Sequence, residues 1–138
     1  MNSLESFKNT DAGLLSQRLI IGILILFHGI ANLTSHYSFI KSLLNGIGIP
    51  EFIAYLVFIG EIIAPIFIII GWRARLASLV LTFNILIAIL IGHSADIFTL
   101  NQFGGWGIEL QALYLFGAIT IFLLGAGKYA VSNISKWD

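Results

Sequence analysis

The chain has 138 residues, of which 58% are hydrophobic and 10% charged, and its formal net charge is zero. Soluble domains carry about 25% charged residues, so this composition excludes a soluble globule and indicates an integral membrane protein that lies in the lipid bilayer. The charge balance also excludes a nucleic-acid-binding face, and the absence of cysteine excludes thiolate metal sites, iron–sulfur clusters and thiol redox relays.

The chain opens with polar residues of mixed charge, and no secretory cleavage site follows the first apolar run, so we expect a retained signal-anchor helix. A helix needs about 20 mostly apolar residues to cross a bilayer. Four segments meet that requirement and are the predicted spans: residues 13–33, 52–71, 74–92 and 107–125. Residues 34–51 between the first two spans are semi-apolar and are expected to include a short helix at the membrane surface. The prediction is an all-α integral membrane four-helix bundle in a single domain, residues 1–138.

Basic residues gather on one side of this predicted bundle. With four spans, the N-terminus, the middle loop and the C-terminus share a side, which holds Lys8, Arg18, Arg73, Arg75, Lys128 and Lys136. The other two loops hold only Lys41. The positive-inside rule therefore predicts that both termini are cytoplasmic. Arg18, Arg73 and Arg75 are assigned to the cytoplasmic rim. Arg73 and Arg75 are topology determinants with side chains that reach the lipid phosphates, and Arg18 is expected either to do the same or to reach inward.

Glu61 lies near the middle of the second predicted span, with apolar residues on both sides. A charged residue at a helix centre costs roughly 2.5–3.5 kcal/mol on insertion scales. Glu61 is therefore expected to face protein or water, and it is the first candidate for a functional site. Pro65, four residues later, removes a backbone donor and frees the Glu61 carbonyl group, which is expected to bend the helix and widen a cavity beside the acid.

Other polar side chains fall in the outer half of the bundle when depth is counted at about 1.5 Å per residue. His28 and Asn32 lie one turn apart on the first span, the third span ends at His93, and the fourth begins near Glu109. We predict that these four residues and Glu61 line one outward-opening pocket. His28 is the expected partner of Glu61 because imidazole titrates near neutrality and can pass protons. These two residues are the candidate catalytic groups.

Several of these residues also have a structural interpretation. His93 and Glu109 are equally expected as rim residues that cap helices and meet water, and Asp96 and His36 as loop residues. Asn84 lies nine residues before His93 and so points roughly the opposite way on a regular helix. It is expected to bond a neighbouring helix or subunit.

Two ligands are considered for the predicted pocket. A quinone-like head group needs two protons per two electrons, which His28 with Glu61 or Glu109 would handle. The electrons would come from a partner subunit, since the chain has no intrinsic cofactor motif. The expected assembly is either with a partner redox subunit or as a homo-oligomer. A b-type haem between His28 and His93 is disfavoured, because two histidines alone do not specify one. A metal site from His28, His93 and Glu109 lacks any tight motif spacing, so no metal is assigned.

The function hypothesis is therefore a membrane subunit of a quinone-linked redox system, possessing a proton-handling pocket in its outer half. Whether the chain is itself an enzyme stays open. The alternative, from another class, is a non-enzymatic membrane scaffold or assembly partner of a redox or stress-response complex. In that case the buried charges would serve helix packing.

Several short segments, taken in order, resemble one membrane-protein family. They are residues 18–22 and 27–29, Asn32 with Leu33, residues 48–50, Glu61, residues 71–77, His93, residues 107–110 and residues 125–129. This set resembles the DoxX family of small four-helix membrane proteins. The resemblance implies the same fold in a bacterial-type plasma (inner) membrane. It also implies quinone-linked redox, since the family name comes from subunits of a thiosulfate:quinone oxidoreductase and a terminal quinol oxidase; other members are placed with oxidative-stress or thiol-handling partners. The family often has a basic residue where Asn32 stands, and that charge is missing here.

Overall fold

The computed structural model describes residues 9–138 and is 71% helical, with no β-strand in that range. The helices are α1 (Thr10–Thr34), α2 (Ser38–Gly46), α3 (Glu51–Ile70), α4 (Ala74–Gly92) and α5 (Glu109–Leu124). The all-α prediction is confirmed, and α2 is the short helix expected between the first two spans. Lys8, which the count of basic residues included, lies outside the described range.

The helix ends follow the sequence chemistry. The Asn9 side chain caps α1 by accepting a hydrogen bond from the Ala12 N–H at 3.0 Å. Pro50 immediately precedes α3, where its fixed φ angle suits a helix start. Gly71, with φ of 73°, ends α3 in the left-handed conformation, which glycine adopts without a steric penalty. The next helix begins only three residues later, so α3 and α4 form a tight hairpin.

Four helices pack in a ring in which α1 and α4 each contact both α3 and α5. Sequential members of the ring run antiparallel. One end of the bundle, here called the Arg73 end, carries the α3–α4 turn, and the other, the His93 end, carries the α4–α5 connection. The core between the helices is built from branched and small side chains, including Ile25, Ile68 and Leu81.

Three helices, α1, α3 and α4, are long and apolar enough to cross a membrane. Their outward faces keep large apolar side chains exposed, for example Phe27 at 65% and Leu90 at 65%, as expected for surfaces that meet lipid rather than water. The protein is therefore a multi-pass membrane protein. The fourth predicted span, residues 107–125, is longer than the observed helix: α5 has 16 residues, about 24 Å at the α-helical rise, because residues 107–108 and Gly125 lie in the flanking turns.

The C-terminal segment, residues 125–138, covers the Arg73 end of the bundle. The N–H groups of Val131 and Ser132 donate to the carbonyl groups of Ile70 and Gly71 at 3.1 and 3.3 Å. These carbonyls belong to the end of α3, where a helix leaves acceptors without internal partners. The segment therefore supplies the C-terminal cap of α3.

The same segment caps the start of α4. The N–H groups of Arg75 and Leu76 donate to the Trp137 carbonyl at 3.0 and 3.4 Å, and the N–H of Arg73 donates to Asp138 Oδ1 at 3.1 Å. The Arg73 guanidinium also lies 3.6 Å from Asp138 Oδ1. The C-terminal segment thus provides hydrogen-bond partners for the free N–H groups at the start of α4 and for the free carbonyl groups at the end of α3.

Arg18 lies beneath this segment at the Arg73 end, and of its two expected positions the side chain takes the inward one. The side chain is only 1% exposed, and its guanidinium donates to the Tyr129 carbonyl. Nε and Nη1 have no hydrogen-bond partner among residues 9–138. Charge and position along the chain favoured the rim, but the C-terminal segment folds over the guanidinium and encloses it. Arg73 and Arg75 do lie at this end of the bundle, half-buried.

Candidate functional site

Helix α3 changes its winding where it carries Glu61. It begins as a 3-10 helix (Glu51–Leu56), continues through a π-helical turn (Ile59–Ile63) and ends as an α-helix (Ala64–Ile70). The Ala64 N–H donates to the Ile59 carbonyl, five residues back. π-helical turns are rare and occur frequently at functional sites. The sequence predicted a distortion here from Pro65, and the wide turn lies immediately before that residue.

Glu61 is held by two amides. Asn32 Nδ2 on α1 donates to Glu61 Oε2 at 2.6 Å, and Asn84 Nδ2 on α4 donates to Oε1 at 3.5 Å, at the limit of hydrogen bonding. The carboxylate therefore joins three helices of the ring. The expectation that Asn84 bonds a neighbouring helix is confirmed.

His28 is not the partner of Glu61, and that prediction was wrong. Its ring is exposed on the surface of α1 and packs edge-on against Tyr114 of α5, with ring centroids 5.8 Å apart. Counting residues placed His28 and Asn32 on one face, but the four-residue step leaves Asn32 facing α3 and His28 turned toward α5.

Two glycines let the helices approach closely around Glu61. A Cβ atom at Gly29 of α1 would lie 2.7 Å from the Glu61 carbonyl carbon, and one at Gly60 would lie 2.5 Å from Asn84 Cγ. Real Cβ atoms do not approach other atoms that closely, so a larger residue at either position would push the helices apart. These two glycines are the local reason why Asn32 and Asn84 reach the acid.

A cavity of about 430 Å³ opens near this site at the His93 end. It is lined by Leu33, His36, Tyr37, Tyr55 and Phe58; Leu33 is adjacent in sequence to Asn32, and Phe58 precedes Glu61 by three residues in α3. The Tyr37 and Tyr55 rings meet edge to face, with centroids 5.5 Å apart. Leucine and aromatic rings with a few polar groups are typical of a site for a flat organic ligand.

Tyr37 connects this cavity with Glu61. The residue is only 3% exposed, and its hydroxyl group has no hydrogen-bond partner in the described part of the chain. Burial raises the pKa of Tyr37, and the negative charge of Glu61 raises it further. The Tyr37 N–H donates to the Asn32 carbonyl at 2.8 Å, which fixes the tyrosine next to the amide that holds Glu61.

The other predicted pocket residues lie elsewhere. His93 contacts Gln111 of α5, with Nε2 and the amide nitrogen 3.0 Å apart, and lies 3.4 Å from the Asp96 carboxylate. Glu109 is exposed and accepts a hydrogen bond from Asn101 Nδ2 at 3.4 Å. No hydrogen bond or salt bridge between residues 9 and 138 joins either residue to Glu61. The structure therefore separates the residues of the predicted single pocket into four places: Glu61 with Asn32, His28 against Tyr114, His93 with Gln111, and Glu109 with Asn101.

This division bears on the two alternative ligands. His28 packs against Tyr114 and His93 contacts Gln111, both on α5, and no hydrogen bond within residues 9–138 joins the two histidines. No group of three or more histidine, cysteine or acidic residues that can hold a metal ion occurs among the residues described, and His28, His93 and Glu109 are not gathered. Neither a haem nor a metal gains support from the geometry.

Sequence reasoning missed Tyr37 as a member of these groups. Tyr37 lies three residues after the end of α1 with a left-handed φ of 58°, a conformation that no local pattern predicted. Gln111 lies in the first turn of α5, where its polarity in an apolar helix was the available signal. The Gly60–Glu61 pair, a small residue beside a buried acid, was a signal for close helix packing.

Comparison with known proteins identifies a family. The profile of the DoxX family matches residues 13–94, which is more than half of the chain and includes most of α1, all of α3 and α4, and all three members of the Asn32–Glu61–Asn84 group. The chain matches no curated protein and no solved structure. By the family match, the chain belongs to the DoxX family.

Proposed function

We propose that the protein is the membrane subunit of a quinone-linked redox system, in which Glu61 handles protons for a quinone-like ligand. The ligand's head group occupies the cavity beside Tyr37, and electrons are supplied by a partner redox subunit, because the residues described here gather no redox centre. Supporting this proposal is one observation above all: Glu61 is held within the bundle by two neutral amides.

Neutral partners matter because they leave the Glu61 carboxylate free to take up a proton. An arginine or lysine in contact with Glu61 would fix the carboxylate as an ion, whereas amide donors stabilise it without supplying a positive charge. Proton uptake then breaks no ion pair. A carboxylate at membrane depth that can gain and lose a proton is the group that quinone reduction requires.

The cavity supplies the second part of the proposal. Its aromatic walls suit a flat ring, and burial keeps Tyr37 protonated as a donor by raising its pKa. We assign the Tyr37 hydroxyl group to a carbonyl oxygen of the head group, from which protons pass to and from Glu61. His28, exposed on the side of α1, is assigned as the group that exchanges protons with the surroundings of the bundle.

The proposal includes a topology. All four ring helices, including the shorter α5, cross a bacterial-type plasma membrane, with the Arg73 end and both termini in the cytoplasm. Arg73, Arg75, Lys128 and Lys136 lie at that end, against Lys41 at the other, and the positive-inside rule orients the bundle accordingly. The quinone cavity then opens toward the outer half of the membrane.

A pH-dependent binding experiment tests the role of Glu61. The purified protein in detergent is titrated with a short-chain quinone and its reduced form, from about pH 5 to 8. If ligand binding is linked to one proton on Glu61, the affinity changes by up to about tenfold per pH unit over part of this range. Glu61→Gln, which keeps the side-chain shape and one acceptor oxygen but has no titratable group, is expected to bind with a flat pH profile.

The ligand site has its own variant and control. Tyr37→Phe removes one hydroxyl group and is expected to weaken binding about fivefold, the value of one neutral hydrogen bond. Tyr129→Phe makes the same change at the other end of the bundle and should bind like wild type. Absence of quinone binding by the wild-type protein, or identical pH profiles in wild type and Glu61→Gln, would contradict the proposal.

A scaffold function is the second candidate, and one observation favours it. The loop between α4 and α5 exposes three large apolar side chains, Phe98 at 97%, Leu100 at 73% and Phe103 at 88%. Asn101 holds this loop in shape, since its Oδ1 accepts from the N–H groups of Phe103 and Gly105 at 2.9 and 3.0 Å. An ordered apolar loop is suited to contact with a partner protein. A stable complex with a partner that forms with the Glu61→Gln variant but not with Phe103→Ser would favour the scaffold function.

A further inference from the structure

A second cavity, of about 200 Å³, lies at the Arg73 end between the start of α4 and the C-terminal segment. Its lining includes the side chains of Arg75, Asn133, Ser135, Lys136 and Asp138, together with the backbone of residues 125–127. The Arg75 guanidinium lies against the backbone of Gly125, where a Cβ atom would be 3.1 Å from Nε. This cavity is separate from the Glu61 group and has no part in the proposed redox function.

The two basic side chains of the cavity carry no ion pair. Neither Arg75 nor Lys136 forms a salt bridge or side-chain hydrogen bond within residues 9–138, and the Lys136 ammonium lies only over the Trp137 ring, 5.5 Å from its centroid. An arginine beside a glycine backbone, with serine and asparagine side chains close by, presents the donors that phosphate oxygens accept.

Asp138 does not neutralise these two cations, because its charge is already engaged. Its Oδ2 accepts from Ser132 Oγ at 2.7 Å and from the N–H groups of Ser135 and Ile134 at 2.8 and 3.0 Å. Its Oδ1 faces Arg73. With Arg73 balancing Asp138, the cavity keeps the two positive charges of Arg75 and Lys136.

The position of the cavity indicates where its ligand comes from. Arg75 follows the first residue of α4, and Gly125 follows the last residue of α5, so the cavity lies where the apolar helices leave the hydrocarbon region. Trp72 and Trp137, which are 41% and 39% exposed, flank this level, as tryptophans do at the head-group layer. At about 30 Å³ for each water-sized group, the cavity has room for a five-atom phosphate group.

We propose that Arg75 and Lys136 form a binding site for an anionic phosphate group, carried by a phospholipid or free in solution. Arg75 donates to the phosphate oxygens from the cavity wall, and Lys136 closes the site from the side of the C-terminal segment. A bound phosphate would tie that segment to α4 and so reinforce the cap over α3, α4 and the buried Arg18.

Binding of three probes to the detergent-purified protein tests the site: phosphatidylglycerol, phosphatidylcholine and inorganic phosphate, with native mass spectrometry counting bound lipid and thermal unfolding reporting phosphate. Phosphatidylglycerol should bind more tightly than phosphatidylcholine. Arg75→Gln and Lys136→Gln should each weaken the binding about fivefold, as expected for one basic residue at an anionic membrane surface. Lys128→Gln removes an exposed charge at the same end, outside the cavity, and should leave binding unchanged.

The source of the phosphate follows from the same data. If the site prefers phosphatidylglycerol and does not bind inorganic phosphate, it is a lipid site. If inorganic phosphate also binds, and both variants weaken that binding to the same extent, the site recognises the free ion. The proposal is overturned if neither phosphatidylglycerol nor inorganic phosphate binds, if phosphatidylcholine binds as tightly as phosphatidylglycerol, or if the two cavity variants bind like Lys128→Gln. Should Arg75→Gln fail to fold, Lys136→Gln, an exposed position, decides the outcome alone.

Discussion

Two asparagine–carboxylate hydrogen bonds of equal length occur in very different settings. Asn32 Nδ2 lies 2.6 Å from Glu61 Oε2 inside the bundle, and Asn45 Nδ2 lies 2.6 Å from Glu51 Oε1 on the exposed connection after α2. We predict that the first bond stabilises the protein and that the second contributes almost nothing. The pair makes a matched comparison, since donor, acceptor and distance are the same.

The change in the free energy of unfolding depends on the hydrogen-bond donors that each carboxylate keeps once its asparagine is replaced. Asn32→Ala leaves Glu61 with only the 3.5 Å contact from Asn84. The loss of a hydrogen bond to a charged group then costs about 2 kcal/mol in the free energy of unfolding. With Glu61→Gln in the background, the bond is neutral and its loss costs about 1 kcal/mol. Asn45→Ala lets water replace the amide and should lie within about 0.5 kcal/mol of wild type.

The assay is a double-mutant cycle in detergent micelles. Helical circular dichroism follows unfolding as sodium dodecyl sulfate is added to wild type, Asn32→Ala, Glu61→Gln and the double variant. The expected coupling between positions 32 and 61 is about 1 kcal/mol, within the range seen for hydrogen bonds between membrane helices. If Asn32→Ala costs no more than Asn45→Ala, or if its cost is the same with Glu61 and with Gln at position 61, the amide does not hold a charged carboxylate.

Two further predictions concern a close helix approach and the C-terminal segment. Gly29→Ala would place a Cβ 2.7 Å from the carbonyl carbon of Glu61 and should destabilise the protein by about 2 kcal/mol in the same unfolding assay. Gly13→Ala is the control, because a Cβ there has nothing within 4 Å, and it should be neutral or stabilising. Equal effects of the two substitutions would contradict the close packing of α1 on α3. Hydrogen bonds from Ser132 and from backbone N–H groups lower the pKa of Asp138 from 3.8 to about 2. Because the folded pKa is lowered, the stabilisation is present above the ordinary value and is lost as the pH falls toward the lowered one. Proteolysis of the C-terminal segment should therefore increase between these two values in wild type, and Asp138→Asn should be cleaved readily with no change over that interval.

Apolar periodicity and turn residues were sufficient for most of the fold. The third predicted span, residues 74–92, coincides with α4, and the second differs from α3 by one residue at each end. Long apolar segments leave few alternatives, since a bilayer demands satisfied backbone groups over a fixed thickness. The cost of a charge at a helix centre predicted that Glu61 faces protein or water, and its contacts with Asn32 and Asn84 agree with that. The helical angle between Asn84 and His93 correctly predicted that these two residues do not line one cavity.

Side-chain partners were less predictable, because they depend on how helices rotate against each other. His28 and Asn32 share a face only approximately, and the rotation of α1 that brings Gly29 against the Glu61 carbonyl selects Asn32 as the partner. Arg18 shows the same limit at the Arg73 end. Its burial depends on a 14-residue segment that returns over the helix ends through backbone hydrogen bonds, and backbone bonds leave no signature in composition.

The two ends of the bundle handle charge in opposite ways. At the Arg73 end, Arg18 cannot lose its proton, so the structure encloses a permanent charge and gives it the backbone carbonyl group of Tyr129 in the C-terminal segment. Around Glu61, the structure supplies neutral amides to a group that can change its charge. Under the proposed function, this difference decides what Glu61 can do. A basic residue at position 32 would pair with Glu61 at the contact that Asn32 makes and would fix the carboxylate as an ion, whereas the asparagine amide leaves Glu61 free to take up a proton.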